Sequence, residues 1–396
     1  MTAVRVSTWI YPWDLADEGV DTVLALLRDH GFQGLDLAAN YHAIATLAPH
    51  NPRRRVMYTE TGAVFFPARI ERYERILPQL WPETAVLRAW PAVAERLDRY
   101  GLRLNAWTIG LFQPWLARAY PDCARVLPFG DRLYAGVCPA NPDVQVYLAR
   151  LCADLADQFP LTFIDLEGIG FPDFAYGWVR ERIGIALSDW TRFLLSLCFC
   201  PACERRAADR GVAVERLRRW VVAEIEERFQ APGDTPPDEP AEEFIARQVA
   251  RDPDFAGFLE AREETVVGLV RAIAQAVADA RPGTRIVVYG RADRWPRDGL
   301  RLERVLDVVG GVILPSPARE PLAARAVRDL VRRSGQPVAL IHNQWSILPE
   351  RPGSPEFRAQ VRAALDLGVD QVIFYHYGLL KHAQLHSLIA ALRPAL

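Results

Sequence analysis

The sequence predicts an α/β fold of the (β/α)8 barrel class, also called a TIM barrel, and three observations carry that reading. Eight short β-branched or apolar runs recur along the 396 residues, most of them separated by helical patterns. Runs in one direction need a parallel sheet with helical crossovers, and eight strands close a barrel of this kind. The turn after the first run reads Tyr11-Pro12-Trp13-Asp14, where an open doubly wound sheet would show a glycine-rich turn. That open sheet is the competing architecture.

The elements follow in order. The first strand is expected over 4–9, then an amphipathic helix over 20–29 stopped by Gly31, then a second strand over 34–37. Residues 38–82 form a long segment, far beyond the roughly 2–6 residues of an ordinary βα loop. A helix over 84–100 leads to strand three at 102–108, and a helix over 143–158 to strand four at 161–167. Residues 169–260 read as a helical insertion bearing cysteines and an acidic, proline-rich linker at 232–240. A helix over 264–280 feeds strand five at 285–289. Strands six, seven and eight are expected at 311–314, 337–341 and 371–375, and a helix over 382–392 ends the pattern. The whole of 1–396 is therefore read as one barrel domain with 169–260 inserted.

Composition removes several function classes. Half the residues are hydrophobic and 24% are charged, enough for a large core. Lys+Arg is 47 against Asp+Glu 49, so no basic excess exists for nucleic acid or an anionic membrane. No run of 18 apolar residues suggests a membrane span, and the start, MTAVRVSTWIYPWD, lacks a signal-peptide pattern. The expectation is a cytoplasmic protein with reduced thiols. Lys381 is the only lysine, so a phosphate loop is excluded and Schiff-base chemistry would have to use that residue.

In a barrel, chemistry lies where strands end and βα loops begin. Those positions carry Trp9, Asp36, Asn40, Tyr41, His42, Trp107, Asp165, Glu167, Arg291, His342, Asn343, Gln344, Trp345, Tyr375, His376 and Tyr377. Aromatic rings beside carboxylates, amides and imidazoles suit a sugar: rings cover its C–H faces and polar groups bind its hydroxyls. Asp165 and Glu167 are i and i+2 on one strand, so they share a face. A carboxylate inside a barrel is costly unless paired or functional. A salt bridge to an arginine is the structural alternative; the functional one is a general acid/base with a raised pKa.

Cys198-Phe199-Cys200-Pro201-Ala202-Cys203 is a C-x-C-x-x-C string that offers three thiolates to a tetrahedral zinc. Cys138, just before a helix, is preferred as the fourth ligand over Cys123 and Cys152. Four sulfurs make a closed, structural site. Three unligated thiols are the plain alternative.

The order Cys138-Pro139-Ala140-Asn141-Pro142, then a strand ending in a carboxylate, then C-x-C-x-x-C, resembles the family 42 beta-galactosidases and related glycoside-hydrolase-like barrels. The resemblance covers about 138–203 and the barrel rhythm. It implies a structural zinc on Cys138, Cys198, Cys200 and Cys203, and Glu167 as the acid/base. Two positions depart. Leu166 stands where the family has Asn, and strand seven runs into His342-Asn343-Gln344-Trp345 without the family's glutamate nucleophile. Asp36, Glu60 and Asp293 remain open as the second carboxylate. A retaining enzyme needs carboxyls about 5–5.5 Å apart and an inverting one about 6.5–9.5 Å.

The expected function is therefore a carbohydrate-active enzyme, a glycoside hydrolase with Glu167 as acid/base. Asp165, Asp36, His342 and His376 would surround the reacting centre, and the other strand-end residues above would hold substrate. Two rivals stand beside it. One is a sugar isomerase, epimerase or lyase using a second divalent cation; the other is a non-catalytic carbohydrate-binding barrel. The partner expected in each case is a small carbohydrate, with a homo-oligomer left open. His382 and His386, i and i+4, are read as a solvated helix face.

Overall fold

In the computed structural model, which describes residues 4–175, 183–231 and 241–392, the eight barrel strands are β1 (Arg5–Ile10), β2 (Gly34–Ala38), β3 (Arg103–Ile109), β4 (Leu161–Glu167), β5 (Arg285–Tyr289), β6 (Val309–Ile313), β7 (Ala339–Trp345) and β8 (Gln371–Tyr375). They close a ring in chain order, each parallel to its neighbours, and β8 returns to β1. The (β/α)8 expectation holds. The linker at 232–240 lies outside the described residues.

Side-chain alternation sorts each strand into two faces. Trp9, Trp107, Phe163, Val287, Ile313, Ile341, Ile373 and Tyr375 pack together inside the ring. Leu35, Leu37, Leu104, Ala106, Ile164, Leu166, Val288, Leu340, Val372 and Phe374 belong to the shell beneath the helices. Burial on both faces explains why these strands read as continuous apolar runs.

The helices of the outer layer are α1 (Val20–His30), α2 (Thr84–Ala94), α3 (Pro142–Gln158), α4 (Pro253–Ala280), α5 (Pro321–Ser334), α6 (Pro355–Leu367) and α7 (His382–Ala390). Their ends follow from local chemistry. Asn141 accepts from the amides of Asp143 and Val144, and Pro142 opens α3. Gly31, Gly335 and Gly368, all left-handed, end α1, α5 and α6. The crossover from β5 to β6 holds only a 3-10 turn, Leu302–Arg304. The inserted segment contributes helices Asp189–Leu195, Pro201–Ala208, Val214–Gln230 and Ala241–Arg251. The long segment after β2 folds as two small antiparallel pairs, Asn40–Tyr41 with Ala63–Val64 and Ala45–Leu47 with Val56–Tyr58.

Candidate active site and cysteine cluster

Strand register decides which predicted residues meet. Glu167 ends β4, and its Oε2 accepts the indole N–H of Trp107 at 2.7 Å. Trp107 stacks on Trp9, with centroids 4.8 Å apart and planes 6° apart, and Tyr41 meets Trp107 edge-on at 4.7 Å. Tyr375 meets Trp9 edge-on, and Trp345 stacks on Tyr375 at 4.3 Å. Trp345 stays 39% exposed, so this aromatic wall reaches solvent. Glu167 also lies close enough to Tyr41 and Tyr375 to oppose their ionisation, although burial is the larger cause for both. Asn343 points inward, its register partner Ile373 being inside the ring, and its Oδ1 has no hydrogen bond.

Below this wall sits a carboxyl pair. Asp36 accepts from Asn105 Nδ2 at 2.8 Å, and Asn105 is fixed in turn by the Phe163 amide at 3.2 Å. Burial pushes the Asp36 pKa up to about 6, against hydrogen bonds from Ser7, Asn105 and Asp165. Burial, then the neighbouring Asp36, pushes Asp165 well above the usual carboxylate range. At neutral pH the two carboxyls therefore hold one proton between them. An arginine salt bridge, the structural alternative for Asp165, is absent among the described residues.

The other expected site residues differ in how they stand to this wall. His342 and Gln344 pair in register with Val372 and Phe374, which belong to the outer shell. His342 Nε2 lies 3.0 Å from Gln344 Oε1, and Gln344 Nε2 donates to Gln360 of α6 at 2.9 Å. Burial drops the His342 pKa to about 4, so it is a neutral group behind the wall. The reason is parity: β7 continues to Trp345, and even positions face outward. Asn40 gives both ends of its amide to the backbone of Ile109. Arg291 is spent on Asp293 and Glu320. Tyr377 donates to Glu18, away from the mouth. His376 is wholly buried among the wall rings, 4.2 Å from Tyr11, 5.3 Å from Tyr375 and 5.9 Å from Trp107, with burial holding its pKa well below 6.5. His42 stacks on Tyr41 at 4.1 Å and stays partly exposed. Lys381 is exposed at the start of α7.

A cleft of about 360 Å³ opens beside Glu167, lined also by Phe171, Asp173, Tyr289 and Asp298. Asp298 escaped the sequence reading because it sits in an irregular loop with no motif around it. Its Oδ1 accepts from the Leu300 amide, and burial raises its pKa. Gly170 lets the Asp298 segment come close: a Cβ there would meet the Asp298 carbonyl oxygen at 2.7 Å. Of the other carboxylates considered, Glu60 is exposed and Asp293 is bound to Arg291.

The four predicted cysteines converge. Cys138 Sγ lies 3.4, 3.8 and 3.5 Å from the sulfurs of Cys203, Cys198 and Cys200, and all four are buried. Thiolates about 2.3 Å from a tetrahedral ion lie about 3.8 Å apart, so the cluster fits a metal ion. Cys123 and Cys152 stay outside it.

The sequence matches no protein-family model and no curated protein. Solved structures do resemble it. Alpha-L-fucosidase isoenzyme 2 from Paenibacillus thiaminolyticus is 12% identical with TM-score 0.57, over 99% of this chain and 49% of that one. The PgaB (BpsB) glycoside hydrolase domain from Bordetella bronchiseptica is 14% identical with TM-score 0.55, over 95% of both chains. Gan42B, a GH42 beta-galactosidase, is 14% identical with TM-score 0.53, over 94% of this chain and 51% of that one. The chain thus spans about half the length of the fucosidase and the galactosidase. At these identities the likeness is one of fold: a barrel shared with glycoside hydrolases. No helix among the described residues is long and apolar enough to cross a membrane.

Proposed function

We propose that this chain is a glycoside hydrolase related to the family 42 type, acting on a small carbohydrate with Glu167 as general acid/base. The observation that carries the reading is Glu167 itself. It ends β4 on the lip of the 360 Å³ cleft, is held by the Trp107 indole, and lies near Tyr41 and Tyr375; Trp107 stacks in turn on Trp9, and Tyr375 on Trp345. A sugar ring fits against such a wall, and Asn343 offers an acceptor to a hydroxyl. Asp298, on the same cleft, is the partner carboxyl in place of the missing strand-seven glutamate. Asp165 and Asp36 lie deeper and hold the charge balance beneath Glu167.

The ion in the thiolate cluster is proposed as zinc, in a structural role. Beyond the sulfur spacing, two buried guanidiniums support a charged cluster. Arg125 donates to the carbonyls of Pro172 and Ser196, and Arg262 to that of Arg297. Neither forms an ion pair with a carboxylate among the described residues. Both lie close enough to the cysteines to be felt electrostatically. A zinc tetrathiolate carries two negative charges and balances them; four neutral thiols do not.

The test is turnover of a panel of nitrophenyl glycosides and oligosaccharides. Glu167→Gln should lower kcat at least about a hundredfold with the circular dichroism unchanged. A variant with near-normal turnover removes Glu167 from the mechanism. Sugar binding without turnover by the unmodified protein would favour the second reading, a carbohydrate-binding barrel. The absence of a carboxylate from β7 is the observation on that side.

A further inference from the structure

A second polar cluster lies behind the aromatic wall, where the segments after β1, β2 and β8 meet. Glu18 ends the short helix Pro12–Glu18, His50 comes from the long segment after β2, and His382 opens α7. His50 Nδ1 lies 3.0 Å from Glu18 Oε1, and His382 Nε2 lies 3.4 Å from Glu18 Oε2. The Glu18 and His50 side chains are only 6% and 8% exposed, whereas His382 is 44% exposed. The three donor atoms lie within 4.8 Å of one another.

The orientation of His50 makes this more than an ion pair. Its Nε2 lies 3.1 Å from the backbone carbonyl of Tyr377, an acceptor only, so that nitrogen carries the hydrogen. In the neutral ring Nδ1 then presents a lone pair to a carboxylate oxygen. Neither Glu18 Oε1 nor His50 Nδ1 has a well-formed hydrogen bond, although both are buried and they face each other. Two such acceptors pointing at one spot need a cation between them. A proton would serve, but the His382 ring sits 4.1 Å from the His50 ring and brings its own nitrogen to the same carboxylate. Ligand atoms about 2.1 Å from a tetrahedral ion lie about 3.4 Å apart, and the two imidazole nitrogens lie 3.0 and 3.4 Å from the Glu18 oxygens they face. The outer contacts also fit. A backbone carbonyl fixes the tautomer of His50, and the Tyr377 hydroxyl donates to Glu18 Oε2 at 2.8 Å.

We propose that Glu18, His50 and His382 form a site for one divalent transition-metal ion of the zinc kind, with a coordination position open to solvent. Two imidazoles and a carboxylate select zinc, cobalt or nickel over magnesium or calcium. Three protein ligands leave the fourth position for water. The ion would tie the start of the barrel to its end. The expected helix-face pair is not a pair in this arrangement: His386 packs toward His30, at 6.4 Å, while His382 turns to Glu18.

The experiment equilibrates the full chain with zinc chloride, removes free metal, and counts bound zinc by elemental mass spectrometry. His382→Ala should hold one ion fewer per chain than the unmodified protein, and His386→Ala should hold the full number. Cobalt titration should give visible d–d absorption from a nitrogen- and oxygen-ligated ion in the unmodified protein, absent in His382→Ala. If His382→Ala fails to fold, Glu18→Gln should show the same loss of one ion. Equal zinc counts and cobalt spectra in the unmodified protein and the folded variant would overturn the site and leave a protonated His50–Glu18 pair. Neither result bears on Glu167, because the measurement is metal content.

Discussion

Asp36 and Asp165 place two carboxyls where water does not reach, and the chain carries a pH dependence because of it. Both fold with pKa values above the unfolded value of about 3.9. Between that value and the folded ones, the native state binds more protons than the unfolded state. The contribution of this pair to stability is then full below about pH 4 and is lost as pH rises, through about 6 for Asp36 and further for Asp165. Asp165→Asn should flatten this fall, measured by urea unfolding at pH 5 and pH 8; an unchanged fall would place the dependence elsewhere. At this scale the sequence was informative where alternation alone decides the outcome. Asp165 and Glu167 on one face, and Trp9 and Trp107 near them, follow from period two. A strand seven that ends at 341 would put His342 at the mouth. The strand runs to Trp345, so position 342 keeps the outward parity of Leu340. Asp298 had no local pattern to betray it, since only the closed barrel brings it to the cleft.

Helix α6 shows how an element holds residues that never touch the mouth. Ser354 accepts from the Phe357 amide at 3.1 Å, Pro355 opens the helix, and Phe357, Val361 and Ala364 are buried. Gln360 then meets Gln344, which contacts His342. This polar link sets the rotation of α6 against β7. Ser354→Ala should lower stability by about 1 kcal/mol, read as a shift in urea midpoint at constant slope. A loss well below that would mean the cap is made by water instead. Strands and most helices were legible because their apolar periods are strong. No helix was expected between strands five and six, and Gly290–Val308 folds around a single 3-10 turn.

For the molecule as a whole, the four-cysteine cluster joins parts far apart in sequence, with Cys138 before α3 and the other three in the insertion. With the proposed zinc on these sulfurs, Cys203→Ser should abolish metal binding there and destabilise the chain by more than about 2.7 kcal/mol, the value for a ligand at a hundred times its dissociation constant. An unchanged melting temperature with no bound metal would show the ion to be dispensable. The cysteine spacing made this cluster readable in advance, whereas Glu18, His50 and His382 were invisible as a group until the chain closed on itself. The expected end of the insertion at 260 falls inside α4. Its first part, Phe255 to Ala261, packs with the inserted helices, and Val266 to Val277 packs on the barrel. At 1.5 Å per residue its 28 residues make a shaft about 42 Å long with no joint along it. A push on the inserted bundle is therefore delivered to the wall beside β4 and β5 as through a solid rod, and a cut at 260 would saw that rod in two.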